Sequence, residues 1–174
     1  KYAGTLGDPS RMAANFAGVI AGNDSRNDIV IRGNSPTGML WQLEGLNIPN
    51  PNHFGAFGGT GGPVSMLNNN NLDKSDFMTS AFPAQYGNAT AGAFDLRLRD
   101  GNNEKHELMT QMGFNGAEIG AEGPFSKKSK SSYVINYRYS TLSIFKKLGL
   151  NVGTGNAVPE YQDVNFKMSF PLKN

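Results

Sequence analysis

A chain of 174 residues with 17% charged residues, 22 glycines and no cysteine can hold one ordinary domain or slightly more and bury a sizeable core. The missing cysteine excludes a disulfide frame and a thiolate metal site. A net charge of +2, with Lys and Arg dispersed except at Lys127, Lys128 and Lys130, is not a nucleic-acid footprint, and no run approaches the roughly 18 apolar residues of a spanning helix.

Abundant glycine and asparagine, including Asn68 to Asn71, favour turns and short strands over long helices. Asp8-Pro9-Ser10-Arg11 predicts a helix start, with Asp8 capping free amides, Pro9 in the first helical position, and an end near Ala17-Gly18. Residues 29–32 and 39–43 read as strands around the turn Gly33-Asn34-Ser35-Pro36. Residues 50–62 form a Gly, Pro and Asn-rich loop around His53, Phe54 and Phe57. One helical turn is predicted over 64–67, then strands over 72–79 and 92–99. In the last of these Phe94, Leu96 and Leu98 alternate with Asp95, Arg97 and Arg99.

Asp100-Gly101-Asn102-Asn103 reads as a linker. Beyond it a period of two is sustained. Leu108, Met112 and Phe114 oppose Glu107, Gln111 and Gly113; Ala117, Ile119 and Ala121 oppose Glu118, Gly120 and Glu122. Tyr133, Ile135, Tyr137 and Tyr139 oppose Ser132, Asn136, Arg138 and Ser140, and Val164, Phe166, Met168 and Phe170 oppose Asn165, Lys167 and Ser169. A soluble sandwich turns such apolar faces to a core; an outer-membrane barrel turns them to lipid and the polar faces to a wet lumen. Periodicity does not choose between them. Aromatic residues near strand ends (Phe114, Phe125, Tyr133, Tyr139, Tyr161, Phe170) and the contrast of short links with a long connection over 142–160 favour the membrane.

Three phrases carry a resemblance: Asn27-Asp28-Ile29-Val30-Ile31-Arg32-Gly33-Asn34, Leu43-Glu44-Gly45-Leu46-Asn47-Ile48-Pro49, and Phe82-Pro83-Ala84-Gln85-Tyr86-Gly87-Asn88. In this order and spacing they resemble the plug domain of TonB-dependent outer-membrane receptors, in a style closest to the Bacteroidetes type. The resemblance implies an α+β fold, a plug with a small mixed sheet and short helices over 1–101, its amino-terminal part missing. The first four antiparallel strands of an incomplete transmembrane β-barrel would follow over 104–174. In that family the plug sits in a barrel of 22 strands and gates its lumen, opening on ligand binding and energy supplied through TonB. Four strands cannot close such a barrel, and no TonB box precedes residue 8, so the chain is expected to be a piece of a longer protein. The family usually has Asp-Gly where Glu44-Gly45 stands and often Glu where Gln85 stands.

The resemblance assigns Arg32, Gly33, Glu44 and Tyr86 to contact between plug and barrel, with Arg32 forking onto carboxylates of the wall; the competing reading of Arg32 is a solvated strand-end arginine. Gly33, Gly45 and Gly87 are expected to serve the backbone through positive φ or close approach. Asn52, His53 and Phe54 are candidates for a ligand-facing loop surface; the competing reading is a connector whose aromatics pack locally. The implied partners are the rest of the barrel, the TonB complex through a missing amino-terminal segment, an imported ligand of unknown class and outer-membrane lipid, with no nucleic acid. The implied location is the Gram-negative outer membrane, with the plug reaching the periplasm. No cofactor, metal or catalytic role is expected. His53 and His106 lack ligand spacing, Asp24, Asn27 and Asp28 fail the calcium-loop pattern, and no nucleophile elbow, Walker loop or His-Glu-x-x-His occurs. Glu118 and Glu122 read as a lumen-facing or solvent-facing row. The alternative is an autonomous soluble binding module or adhesin of the cell envelope.

Overall fold

The computed structural model describes residues 5–56, 58–113, 116–126, 130–149 and 159–171. Phe57, Phe114, Lys127, Lys128 and residues 150–158 of the expected long connection lie outside the described residues. The chain divides into two compact units, Lys1–Leu98 and Arg99–Asn174.

The first unit mixes short elements. Helix α1 spans Pro9–Ala13, and the Asp8 carboxylate accepts from Ser10 N at 2.8 Å and Arg11 N at 3.4 Å. Cap and proline sit as expected, but the helix stops four residues early. The amide of Asn15 donates to the Arg11 and Met12 carbonyls at 3.1 and 3.2 Å, taking acceptors that another turn would use. Gly18 at φ +79 then turns the chain into β1, Val19–Asn23, which pairs antiparallel with β2, Arg26–Ile31. Alternate β2 residues Asn27, Ile29 and Ile31 point inward.

A 3-10 turn over Pro36–Gly38 leads to β3, Met39–Leu43, followed by β4, Leu46–Ile48. The short strands β5, Asn52–His53, and β6, Val64–Ser65, pair with each other. The helical turn expected over 64–67 is thus a strand, because β5 supplies a partner that local sequence does not reveal. β7, Asp76–Met78, is shorter than expected, and Leu72 contributes only an isolated bridge to Leu98. With β8, Gly92–Leu96, these form a mixed sheet of order β4-β3-β8-β7, in which β3 and β8 run parallel.

The predicted two-sidedness of β8 is absent: all five of its residues are buried, Phe94 and Leu96 in the apolar core and Asp95, on the other parity, under the buried Tyr86. Phe94 stacks between Trp41 at 4.2 Å and Phe77 at 4.4 Å, joining Ile29, Ile31, Met39, Leu67 and Leu96 in the core.

The second unit is an antiparallel meander of β9, Glu107–Gly113, β10, Gly116–Pro124, β11, Ser132–Tyr139, and β12, Gln162–Ser169, in sequence order. All four lie where the period of two places them. The long connection contains a helix that periodicity missed: α2, Thr141–Lys147, capped by Ser140 and tied by Thr141 Oγ1 to the Gly113 carbonyl at 2.6 Å.

The Asp-Gly-Asn-Asn segment straps the end of this sheet. Arg99 forks onto Glu122 at 2.7 and 2.8 Å, Asn102 N donates to the same carboxylate at 2.7 Å, and Asp100 pairs with Lys167 at 3.2 Å. The neighbouring Ser169 hydroxyl and the Lys167 ammonium hold the Asp100 carboxyl below its ordinary range. Gly101 crosses β11 so closely that a Cβ there would lie 1.9 Å from the Tyr133 carbonyl oxygen.

Candidate functional site

Two of the phrases that stand out in the sequence hold tight turns in the structure, and the segment before α1 holds another. Leu6-Gly7, Arg32-Gly33 and Glu44-Gly45 each pair a non-glycine residue at φ near +50 with a glycine at φ +73 to +81. Asp8 N closes the first onto Thr5 O and Asn34 N closes the second onto Ile31 O, both at 2.9 Å; Leu43 pairs with Leu46 across the third. Two consecutive positive φ values are the type I′ turn, whose twist suits a two-residue hairpin. Gly33 and Gly45 therefore serve the backbone as expected. Gly87 does not: its φ is not positive, no atom lies within 4 Å of a Cβ built on it, and the positive φ falls on Asn88 at +68.

Arg32 is exposed, and its guanidinium has no hydrogen-bond or ion-pair partner among the described residues. Glu44 is exposed too, but Oε1 accepts from Leu98 N at 2.7 Å, tying the turn to the chain beyond β8. Tyr86 is buried at 7% exposure, and its hydroxyl donates to Asp95 Oδ2 at 2.9 Å within the first unit.

Of the three residues expected on a ligand-facing loop, Phe54 alone is well exposed, at 53% and φ +54. His53 is half-buried, its ring 6.1 Å from that of Phe54. Asn52 is placed inside the unit, at 6% exposure, because its amide is committed to Asn27, Asn50 and the Thr60 carbonyl. Sequence reading missed this buried network, in which Asn27 also donates to Asp8 at 2.7 Å. Burial pushes the Asp8 carboxyl above its ordinary range, against the opposing bonds from Asn27, Ser10 and Arg11. The one sequence signal was a polar residue, Asn27, on the inward parity of a strand.

In the second unit the two faces of the sheet are inverted relative to a soluble fold. Leu108, Met112, Ile119, Ile135, Val164, Phe166 and Met168 are exposed, with Leu108 at 83% and Phe166 at 64%. On the opposite face Glu118, Asn136, Arg138 and Asp163 are buried at 8% exposure or less. Register lines Gln111, Glu118, Arg138 and Asp163 into one row across the four strands. Arg138 donates to Asp163 from Nε at 2.9 Å and from Nη2, while the Asn136 amide donates to Glu118. Glu118 thus belongs to a hydrogen-bonded row, and Glu122 to the Arg99 fork.

The aromatic residues at the strand ends divide. Phe125 lies against Tyr133 at 5.4 Å and Phe170 at 5.3 Å, at one end of the exposed face. Tyr139, at the other end of β11, accepts from Lys147 Nζ through its hydroxyl at 2.6 Å. Tyr161 is not on that face: it is 8% exposed, with the Arg138 guanidinium 5.6 Å over its ring. Among the described residues no helix is long and apolar enough to cross a membrane, which says nothing of a strand barrel.

Solved receptors share this architecture. The ferric enterobactin receptor PfeA in complex with BCV-L6 aligns with 97% of the chain at a TM-score of 0.54 and 19% identity. A PfeA double mutant from Pseudomonas aeruginosa aligns with 97% at 0.57 and 18%, and a single mutant from the same organism in complex with enterobactin with 94% at 0.57 and 18%. The chain has the fold of these receptors over the stretch that aligns, short mixed elements followed by antiparallel strands. The chain spans only 28% to 29% of the length of these receptors. No protein-family model and no curated protein matches the sequence.

Proposed function

We propose that this chain is the plug, over 1–101, and the first four wall strands, over 104–174, of a TonB-dependent outer-membrane receptor of the Bacteroidetes type. The plug closes the lumen until a ligand outside and energy delivered through TonB inside rearrange it. The observation that carries this reading is the inverted sheet: apolar residues exposed on one face, a charged row buried on the other. In water that arrangement would expose a large apolar patch and bury charge at the same time, both unfavourable; in a bilayer the apolar face meets lipid. The soluble-module alternative requires the opposite orientation.

On this reading the exposed row of β9 to β12 meets outer-membrane lipid, and the remaining wall comes from the rest of the protein. TonB engages a segment upstream of α1. Arg32, exposed at a turn tip, reaches a carboxylate of the missing wall, and Gly33, Glu44 and Tyr86 shape the same plug face. Phe54, with His53 beside it, is the exposed apolar point of the ligand-facing loop. The role is binding and gating rather than catalysis. The solved neighbours are named for ferric enterobactin, but identity of 18% to 19% carries fold and not cargo.

Single cysteines at Val164, Asn165, Phe166, Lys167 and Met168 in the membrane-embedded protein, each carrying a polarity-sensitive maleimide dye, test this. Emission should alternate residue by residue, with lipid-borne quenchers acting at 164, 166 and 168 only. Equal reaction of all five with a charged, water-soluble maleimide sinks the membrane assignment.

A further inference from the structure

We infer that Asn27 is a relay that locks the 50–62 loop to the start of α1, so that displacing the amino-terminal turn releases the loop. The two hydrogens of its Nδ2 are divided between Asp8 Oδ2 at 2.7 Å and Asn52 Oδ1 at 2.5 Å. Its Oδ1 accepts from Gly62 N at 2.7 Å, and its own N–H donates to the Gly62 carbonyl at 3.0 Å. One asparagine on β2 thereby holds the helix cap, the strand at the start of the loop and the glycine at its end.

The arrangement has little slack. Asp8 and Asn27 are 2% and 3% exposed, so water cannot replace a bond broken between them without an opening of the unit. Asn52 passes the connection on, donating to Asn50 Oδ1 at 2.8 Å, and Asn50 Nδ2 donates to the Gly59 carbonyl at 2.9 Å. A Cβ on Gly62 would lie 2.7 Å from both Asn52 Cβ and the His53 oxygen, so the two arms of the loop already touch. Asp8 divides its hydrogen bonds by oxygen: Oδ1 caps the helix through Ser10 N and Arg11 N, and Oδ2 accepts from Asn27, with the Arg11 guanidinium 3.8 Å from the same oxygen. Lifting the turn over residues 5–8 therefore removes an acceptor from Asn27, leaving a buried donor unpaired, and loosens the grip on Asn52 and Gly62. The result is a mechanical connection from the chain's amino-terminal turn to the loop that exposes Phe54. It is a property of the plug unit alone, and stands whether or not the receptor reading does.

The division of labour in Asp8 gives a clean test by hydrogen exchange and mass spectrometry on the intact protein in detergent micelles. Asp8→Asn keeps a capping oxygen for Ser10 and Arg11 but turns an amide donor against the donor of Asn27. It should raise exchange across 50–62 at least tenfold, while Met39–Leu43 and Gly92–Leu96 exchange as in the parent. Asn15→Ala, which changes the far end of α1 off the relay by freeing the Arg11 and Met12 carbonyls, should leave the loop unchanged. Faster exchange confined to residues 5–14 in Asp8→Asn overturns the relay, as does a loop released equally by Asn15→Ala. If Asp8→Asn does not fold, Asn52→Asp replaces it: this keeps the acceptor for Asn27 but loses the donor to Asn50, so exchange should rise at 50–60 with α1 unchanged. An unchanged loop in that variant is equally fatal.

Discussion

Arg32-Gly33 and Glu44-Gly45 are selected first for a backbone shape. A left-handed conformation costs an L-residue about 1–2 kcal/mol, yet the residue before each glycine adopts it, at φ +50 and +52. The two-residue connection imposes that shape, and glycine at the second position limits the strain. Gly33→Ala should therefore destabilise the protein by about 1 kcal/mol through the backbone alone, since nothing lies within 4 Å of the added methyl. Gly87→Ala, at a glycine without positive φ and in open space, should cost nothing measurable. Thermal unfolding of the two variants decides, and equal losses would refute the distinction. The sequence showed a glycine in each phrase but not which needed its freedom, because φ is set by how the flanking strands close. Asn52 illustrates the same limit: it looked like a loop amide free to meet a ligand, and Asn27, from another strand, joins Asn50 and the Thr60 carbonyl in burying it.

Among elements, the sheet of the second unit stores its polar chemistry in the pair Arg138–Asp163, both side chains 6% exposed. Removing one member strands a buried charge, at about 3–5 kcal/mol, whereas replacing both with apolar residues of similar volume is often neutral. Asp163→Ala should accordingly lower stability by that order, and the double variant Arg138→Leu, Asp163→Val should recover most of it. Chemical unfolding in detergent gives the comparison; a double variant as unstable as the single would show that the pair holds something beyond itself. The strands carrying this pair were legible because a strand side chain alternates every residue, whatever surrounds the sheet. The small strands of the first unit were less so: β5 and β6 are two residues each, too short for any period to register, and exist by pairing across a loop. Helix α2 escaped because a seven-residue helix is fixed by its Ser140 cap and its tie to β9 more than by an apolar stripe.

At the scale of the whole molecule, β9 and β12 are the outer strands of the four-stranded sheet, each with a strand on one side only among the described residues, beside an apolar face. Such edges recruit other strands, and backbone polar groups facing lipid must be paired. The isolated 174-residue chain should associate in plain buffer and become dispersed in detergent, as read by size-exclusion chromatography with light scattering. A stable monomer in buffer would argue that the apolar face finds a core of its own. By itself the sequence determined the period of each strand of the second unit, the capped helix start and the turn-bearing phrases, because these depend on neighbours within a few residues. Tertiary structure alone decided which face of the four-stranded sheet is covered, which glycine is strained and which amides are buried. Each of those depends on groups tens of residues apart arriving at one place, and alternation reads the same whether its apolar side meets a core or lipid.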